Sequence, residues 1–354
     1  MLQFVLIAGV VLIVIVLGFL FRINTLVTVV KGAEKHPETK SNKINGLLMF
    51  LFMVASLILL CWYSYARFDD YTMPVASEHG VVTDNLFWVT TAVTGFVFIL
   101  TNILLFYFSF KYQYKENERA KFYPENNKLE IIWTVIPAIV LTVLVFTGWK
   151  AWTDITDAAP EDAEVIEIMG QQFAWSVRYP GKDGKLGKVD YRRIDATNNF
   201  GMDLSDRNAF DDFMAPRLYV PKGRPVELKI RARDVLHSVY APHFRLKMDA
   251  VPGMPTRFWF TPTKTTEEMR QETNNPEFNY EIACAEICGR GHFSMRLLLV
   301  VEEPEVYDKW YAEQQSWLSQ NPDYLSQIPV ELEELAQISV ENTKGNKETE
   351  NKLN

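Results

Sequence analysis

Polar and apolar positions divide the chain into two textures that meet near residue 152. Ahead of that point the polar residues gather in short clusters and leave four long apolar runs, 2–21, 46–63, 85–110 and 131–148, each free of charged side chains. A helix needs about 20 mostly apolar residues to cross the hydrocarbon core of a bilayer. In lipid such a segment must pair its backbone groups internally, which a helix does. Four spanning helices are therefore expected. The first run has no basic residues ahead of it, is long, and is followed by no small-x-small cleavage site, so it reads as a retained span rather than an export signal.

The clusters between the runs orient them. Linker 22–43 carries Arg22, Lys31, Lys35, Lys40 and Lys43, and linker 111–128 carries Lys111, Lys115, Arg119, Lys121 and Lys128. Linker 69–84 holds Asp69, Asp70, Glu78 and Asp84 with no Lys or Arg. Basic loops stay on the cytoplasmic side, so the amino terminus and everything after residue 152 are expected outside.

Beyond residue 160 the period shortens to two. Residues 164–169 set Val165 and Glu167 against Ile166 and Ile168, and 171–179 continue the strand with Phe173, Trp175, Val177 and Tyr179 before a Pro180-Gly181 turn. Residues 218–220 and 226–232 read as strands around a turn at 221–223, with Val226, Leu228 and Ile230 on one face. Further strands are expected at 257–260, 280–283 and 295–301. Short strands between Pro/Gly turns predict an all-β sandwich or barrel. Residues 182–214 are polar and Asp/Asn-rich, an excursion between strands. Residues 304–354 open with a helical pattern (Val306, Trp310, Trp317, Leu318) and end in a polar stretch, 341–354, expected to be disordered.

Charge sharpens the division. The 48% hydrophobic average conceals a net of +2 in the first 150 residues and −10 from Ala151 onward. An acidic outer half argues against nucleic acid and fits a basic protein partner. Three cysteines make no disulfide framework. Cys61 lies in an apolar run, whereas Cys284 and Cys288 share a short segment with His292 and Met295.

Two thiols, an imidazole and a thioether within twelve residues form a soft donor set that selects copper or zinc over magnesium or calcium. Zinc would take Cys284 and Cys288 with His237 and His292, leaving Met295 idle. Mononuclear blue copper uses one Cys, two His and a weak Met. Here a second Cys is added, and two thiolates on one loop are able to bridge two ions. His237, after strand 226–232, is placed at a strand end facing this loop. His243 is the rival donor and reads as structural.

The spacing Cys284-x3-Cys288-x3-His292-x2-Met295 resembles the binuclear copper (CuA) loop of cytochrome c oxidase subunit II. Asp234-Val-Leu-His237-Ser is similar to that family's first-histidine segment. Leu129-Glu-Ile-Ile-Trp-Thr-Val-Ile-Pro137 is similar to the start of its second anchor helix, and Lys247-Met-Asp-Ala-Val-Pro-Gly253 to the loop after its first histidine. The match runs from about residue 85 to 303. It implies a cupredoxin-like sandwich in which Cys284 and Cys288 bridge two coppers, His237 and His292 each bind one, Met295 is a weak axial ligand and the Glu286 carbonyl binds the other copper. It further implies a magnesium ion on the Glu286 side chain at the interface with subunit I, and a proton path whose cytoplasmic mouth lies near Glu130. Gly170-Gln-Gln-Phe-Ala-Trp175 matches the family's electron-entry segment. Its usual first Trp is Phe173 here, so Phe173 and Trp175 are both candidates.

The expected domains are 1–66, two extra helices; 67–152, the anchor hairpin; 153–303, the copper domain with insertion 182–214; and 304–354, the tail. The implied function is electron entry to a respiratory oxidase in a prokaryotic inner membrane, with the copper domain on the periplasmic face. Electrons would come from a c-type cytochrome and go to haem in subunit I for oxygen reduction coupled to proton pumping. Asp234, Asp249 and Glu281 are expected to steer a basic cytochrome, and the extra helices to pack on other oxidase subunits. A membrane-tethered copper chaperone is the alternative, which would show βα alternation. A quinol-oxidising relative would lack the ligand set. Nitrous oxide reductase would need more than the five histidines present.

Overall fold

The structure is a computed structural model that describes residues 2–30, 40–114, 118–119 and 121–350. It divides into two compact units, Met1–Tyr71 with Thr90–Ala138, and Thr72–Val89 with Ile139–Asn354.

The first unit is helical. It contains α1 (Leu2–Val30), α2 (Lys40–Ala66) and the single turn α3 (Phe68–Tyr71), with parts of α4 (Glu78–Lys111) and α5 (Asn127–Thr156). Among the described residues three stretches are long and apolar enough to cross a membrane, Asn42–Ala66, Glu78–Lys111 and Asn127–Thr156, and the apolar stretch of α1 is shorter, Val11–Val27. Large apolar side chains such as Phe96, Leu105, Ile131 and Val145 face outward. That is the surface expected of helices whose solvent is lipid or another subunit. Inside the unit α2 and α4 meet through ring pairs, Phe50–Phe110 at 5.7 Å and Phe52–Phe106 at 6.1 Å. Each predicted run lies within a longer helix. Of the basic clusters that set the orientation, Lys31, Lys35 and Lys115 lie outside the described residues.

The second unit is built on ten strands: β1 (Glu164–Gln171), β2 (Ala174–Tyr179), β3 (Phe213–Ala215), β4 (Leu218–Pro221), β5 (Val226–Ala232), β6 (His237–Ala241), β7 (Leu246–Ala250), β8 (Thr256–Phe260), β9 (Tyr280–Cys284) and β10 (Arg296–Glu302). They form two five-stranded sheets, β3-β2-β1-β5-β8 and β4-β10-β9-β6-β7. The β1–β5 and β4–β10 pairs are parallel. Ile166, Ile168, Leu228 and Ile230 from the first sheet share one core with Val239, Ile282, Leu299 and Val301 from the second. Alternation of buried and exposed positions along each strand produces this sandwich.

One expectation is corrected here. Residues 171–179 do not continue the preceding strand, because the chain reverses at Gln172-Phe173 and β2 returns antiparallel with Gln171 opposite Ala174. His237 lies at a strand end, the start of β6, the neighbour of β9. Residues 341–350 continue a helix, and 351–354 lie outside the described residues.

The tail forms α7 (Pro304–Ala312), α8 (Trp317–Gln320) and α9 (Glu333–Glu350), after the short α6 (Thr266–Glu272) between β8 and β9. The excursion 182–214 is ordered by two devices. Buried Arg178 donates to Glu167 Oε2 (2.7 Å), Asp212 Oδ2 (2.6 Å) and the Gly187 carbonyl (3.1 Å). Leu204, Ala209 and Phe210 form a second apolar cluster with Leu318, Ile328, Ala336 and Val340 of the tail.

Candidate metal centre

Strand pairing brings the soft donors together. β6 runs antiparallel to β9 with Val239 opposite Cys284, and Ala285 N donates to the Ser238 carbonyl at 3.0 Å. That register carries the His237 ring to the end of β9, where Cys284 starts the loop. The loop returns to β10 through Gly289, whose φ of +130° favours glycine, and a single 3-10 turn, His292–Ser294. His237, Cys284 and Cys288 present donor atoms that lie within 4.8 Å of one another, all on buried residues.

The distances define a cup of donors. Cys284 Sγ lies 3.8 Å from Cys288 Sγ and 3.9 Å from His237 Nδ1. Cys288 Sγ lies 3.7 Å from His292 Nδ1 and 3.9 Å from Met295 Sδ. The Glu286 carbonyl oxygen is 3.2 Å from Cys284 Sγ. A disulfide needs its sulfurs about 2.05 Å apart, so Cys284 and Cys288 are free thiols. Their separation suits two sulfurs sharing an ion at about 2.3 Å from each. Thiolate, imidazole and thioether donors are the set that copper prefers, and these residues fit it.

Three residues hold the donors in place. His237 Nε2 lies 2.9 Å from Asp234 Oδ1, leaving Nδ1 turned toward Cys284. Such carboxylate–histidine pairing fixes the ring and raises its basicity as a ligand. Asp234 also accepts from Gln172 N (2.8 Å) and Val235 N (2.7 Å). Burial works to raise the Asp234 carboxyl, but these hydrogen bonds outweigh it and hold the group below its ordinary range. The Gln172 side-chain amide donates to the Cys288 carbonyl at 2.6 Å. Gly170 leaves room for the His237 ring, which a Cβ would approach to 3.0 Å. Burial and the adjacent Cys284 thiol push Cys288 up to about 11. Without a cation Cys288 is held as a neutral thiol.

The remaining candidates are placed as follows. Met295 is buried in the cup and His292 is half-buried at its edge. Trp175 is buried, with its ring 5.9 Å from the His237 ring. Phe173 sits on the β1–β2 turn, 38% exposed, against Gly289 and Gly291 of the loop. Glu286 is half-buried on the loop. Glu130 stands in the first turn of α5, in the helical unit. His243 points away, bonded to the Pro74 carbonyl at 2.8 Å, and is structural. Sequence reasoning missed Asp234 as the orienting carboxylate and Gln172 and Gly170 as supports. The Asp-x-x-His spacing was the available signal for the first.

A helical membrane anchor carrying a cupredoxin-like sandwich, with a buried soft-donor centre at one end, defines a class of membrane-bound redox proteins. Residues 61–150 match the family described as Cytochrome C oxidase subunit II, transmembrane domain, and residues 164–303 match Cytochrome C oxidase subunit II, periplasmic domain. The alternative cytochrome c oxidase subunit 2 of Bradyrhizobium diazoefficiens is 36% identical over 249 residues, which span 69% of this chain and 84% of that one. Cytochrome c oxidase subunit 2 of Thermostichus vulcanus is 26% identical over 270 residues, 68% of this chain and 77% of that one. Among solved structures, the periplasmic domain of subunit II of cytochrome oxidase (CoxB) of Bradyrhizobium japonicum covers 44% of this chain and 94% of its own length at 22% identity, with a TM-score of 0.30. The chain belongs to the cytochrome c oxidase subunit II family. It is a membrane protein with a periplasmic domain and a component of an oxidoreductase complex.

Proposed function

We propose that this chain is the electron-entry subunit of its oxidase and holds a binuclear CuA centre. The supporting observation is the convergence of His237, Cys284, Cys288 and Met295 in one buried cup, with His292 at its edge. When bound, a copper pair supplies a one-electron acceptor whose charge is shared between two ions. Cys284 and Cys288 would bridge the pair, His237 and His292 would each hold one ion, and Met295 and the Glu286 carbonyl would complete the set. The chain's own task is to keep these donors still. Asp234 fixes the His237 ring, Gln172 ties down the loop at Cys288, and the sandwich excludes water from the sulfurs. A site that moves little on gaining an electron passes it on with a small reorganisation cost.

Electrons would arrive from a c-type cytochrome by way of Phe173, which is exposed and touches the loop, and leave for haem in subunit I. Trp175, buried against His237, would act as packing or as an inner relay. The Glu286 side chain would hold magnesium against subunit I. Glu130 would sit near a proton path, and α1 and α2 would pack on neighbouring subunits. The sandwich connectivity, with no βα alternation at the site, disfavours a thioredoxin-like chaperone.

Metal analysis and electron spin resonance of the full-length chain in its purified oxidase test the reading. Two coppers per chain and hyperfine structure from both nuclei are expected. One metal per chain, or a signal from a single copper, would overturn it.

A further inference from the structure

The chain enters the sandwich from α5 through residues 157–163, which are exposed or half-buried and hydrogen-bond to near neighbours, Asp157 N to the Thr153 carbonyl (2.9 Å) and Ala163 N to the Pro160 carbonyl (3.0 Å). The segment ahead of α4 is held differently. Ala76 and Ser77 are fully buried. Ala76 N donates to the His243 carbonyl (2.8 Å), Thr263 N to the Ala76 carbonyl (2.9 Å) and Glu78 N to the Thr261 carbonyl (3.2 Å). Ser77 Oγ donates to the Phe244 carbonyl and His243 Nδ1 to the Pro74 carbonyl, both at 2.8 Å. Residues 73–78 thus form a strap past the ends of β6 and β8 that runs straight into α4.

Arg245 locks the strap. Its Nε and Nη2 donate to the two oxygens of Asp84 on α4 (2.6 and 2.9 Å), Nη2 also to the Met73 carbonyl (2.7 Å), and Nη1 to the Pro242 carbonyl (2.6 Å). A guanidinium paired through two bonds with a carboxylate fixes the orientation of both partners. Arg245 has a φ of +51°, in the left-handed region where glycine is at ease and other residues are uncommon. The backbone alone would favour glycine there, so the guanidinium is what the position needs. This clamp closes the hairpin of β6 and β7, in which Ala241 lies opposite Leu246 and His237 opposite Ala250. His237 stands four residues along β6 from Ala241, about 14 Å at the rise of a strand.

We infer that Arg245 and Asp84 are positioning residues for the onward electron step. They clamp the hairpin bearing His237 to the outer end of α4, so that the centre keeps one placement toward the haem of subunit I. The inference rests on the electron-entry reading above. In that step the reduced centre loses one electron and the haem gains it; the clamp touches neither and acts through the hairpin.

Arg245→Gly removes the side chain at a backbone position that glycine suits, and Asp84→Asn removes the charge of its partner. In the purified oxidase, hydrogen exchange at residues 73–78 and 242–246 is expected to quicken about 10- to 100-fold in both, the effect on local opening of losing hydrogen bonds between charged groups. Strands β1, β5 and β10 keep their protection. Flash photoreduction through a small mediator then separates the two electron steps. Filling of the centre and its copper spectrum stay unchanged, and passage to haem slows several-fold. Asp84→Glu, which keeps a carboxylate for Arg245, recovers both readouts in large part. Where Arg245→Gly fails to assemble, Asp84→Asn carries the same comparison. Unchanged exchange overturns the clamp. Quickened exchange with an unaltered onward rate, or an equal slowing of filling and passage, overturns its positioning role. A wild-type oxidase without a copper signal sinks the electron-entry reading instead, and exchange then judges the clamp alone.

Discussion

The two imidazoles of the centre are held in contrasting ways. His237 is fully buried at the start of β6, hydrogen-bonded to Asp234 and packed on Gly170 and Trp175. His292 is half-buried on a single 3-10 turn between glycines and the exposed Phe293. One ring is part of the sandwich core and is positioned without any metal. The other belongs to a short loop turn. On the proposed reading, such a centre would have a rigid inner half that sets its properties and an accessible outer half through which metal and electrons would enter.

The sharpest way to break this contrast is to remove each ring in the metal-free chain. His237→Ala empties a fully buried position and should cost about 2–4 kcal/mol of unfolding free energy. His292→Ala should cost under about 1 kcal/mol. Equal losses in denaturant titrations would mean that both rings are structural to the same degree.

Next in size is the orienting carboxylate. Asp234→Ala should weaken metal affinity about 10- to 100-fold, the usual effect of losing a partner that orients a metal-bound histidine, while the coordinated ligands stay the same by spectroscopy. An unchanged affinity would show that packing alone aims the His237 ring.

The third expectation concerns pH. Cys288 is pushed up to about 11, mainly by burial, so below that pH the metal-free thiol carries a proton that an incoming cation must displace. Metal affinity should therefore rise with pH, about tenfold per unit for each proton released. Proton release measured in weakly buffered titrations checks the sign. Affinity that is flat between pH 6 and 8 would indicate that the thiols are already ionised.

The smallest effect compares two glycines. At Gly170 a methyl group would come within 2.9 Å of Trp175 and 3.0 Å of His237, in a packed interior. At Gly291 it would come within 2.5 Å of Phe173, whose ring is partly in solvent and able to move. Gly170→Ala should thus destabilise by about 1–3 kcal/mol and Gly291→Ala by less, despite the closer nominal clash. The reverse order, read by thermal unfolding, would place the rigid half of the centre on the loop side.

Much of the architecture was legible because its signals are local. The charge-free runs marked the helices, since lipid tolerates little else. Residues 226–232 announced β5 through strict alternation. The donors between Cys284 and Met295 were readable because one loop carries most of them. Other features depended on information that is not local. The β1–β2 turn falls on Gln172-Phe173, which has none of the usual turn residues, so alternation ran on across it. β6 was hidden because exposed Val235 and Leu236 precede it and blur the pattern. The polar excursion read only as an insertion between strands because its few apolar residues, such as Leu204 and Phe210, find their partners more than a hundred positions away.

That last pairing bears on how this branch of the family came to be. Leu204, Ala209 and Phe210 are shielded from water by Leu318, Ile328, Ala336 and Val340, so this cluster would be laid bare in either segment without the other. The two segments are therefore expected to be inherited together. Homologous chains should carry both or neither, and a lineage keeping only one would have had to rewrite its greasy residues as polar ones.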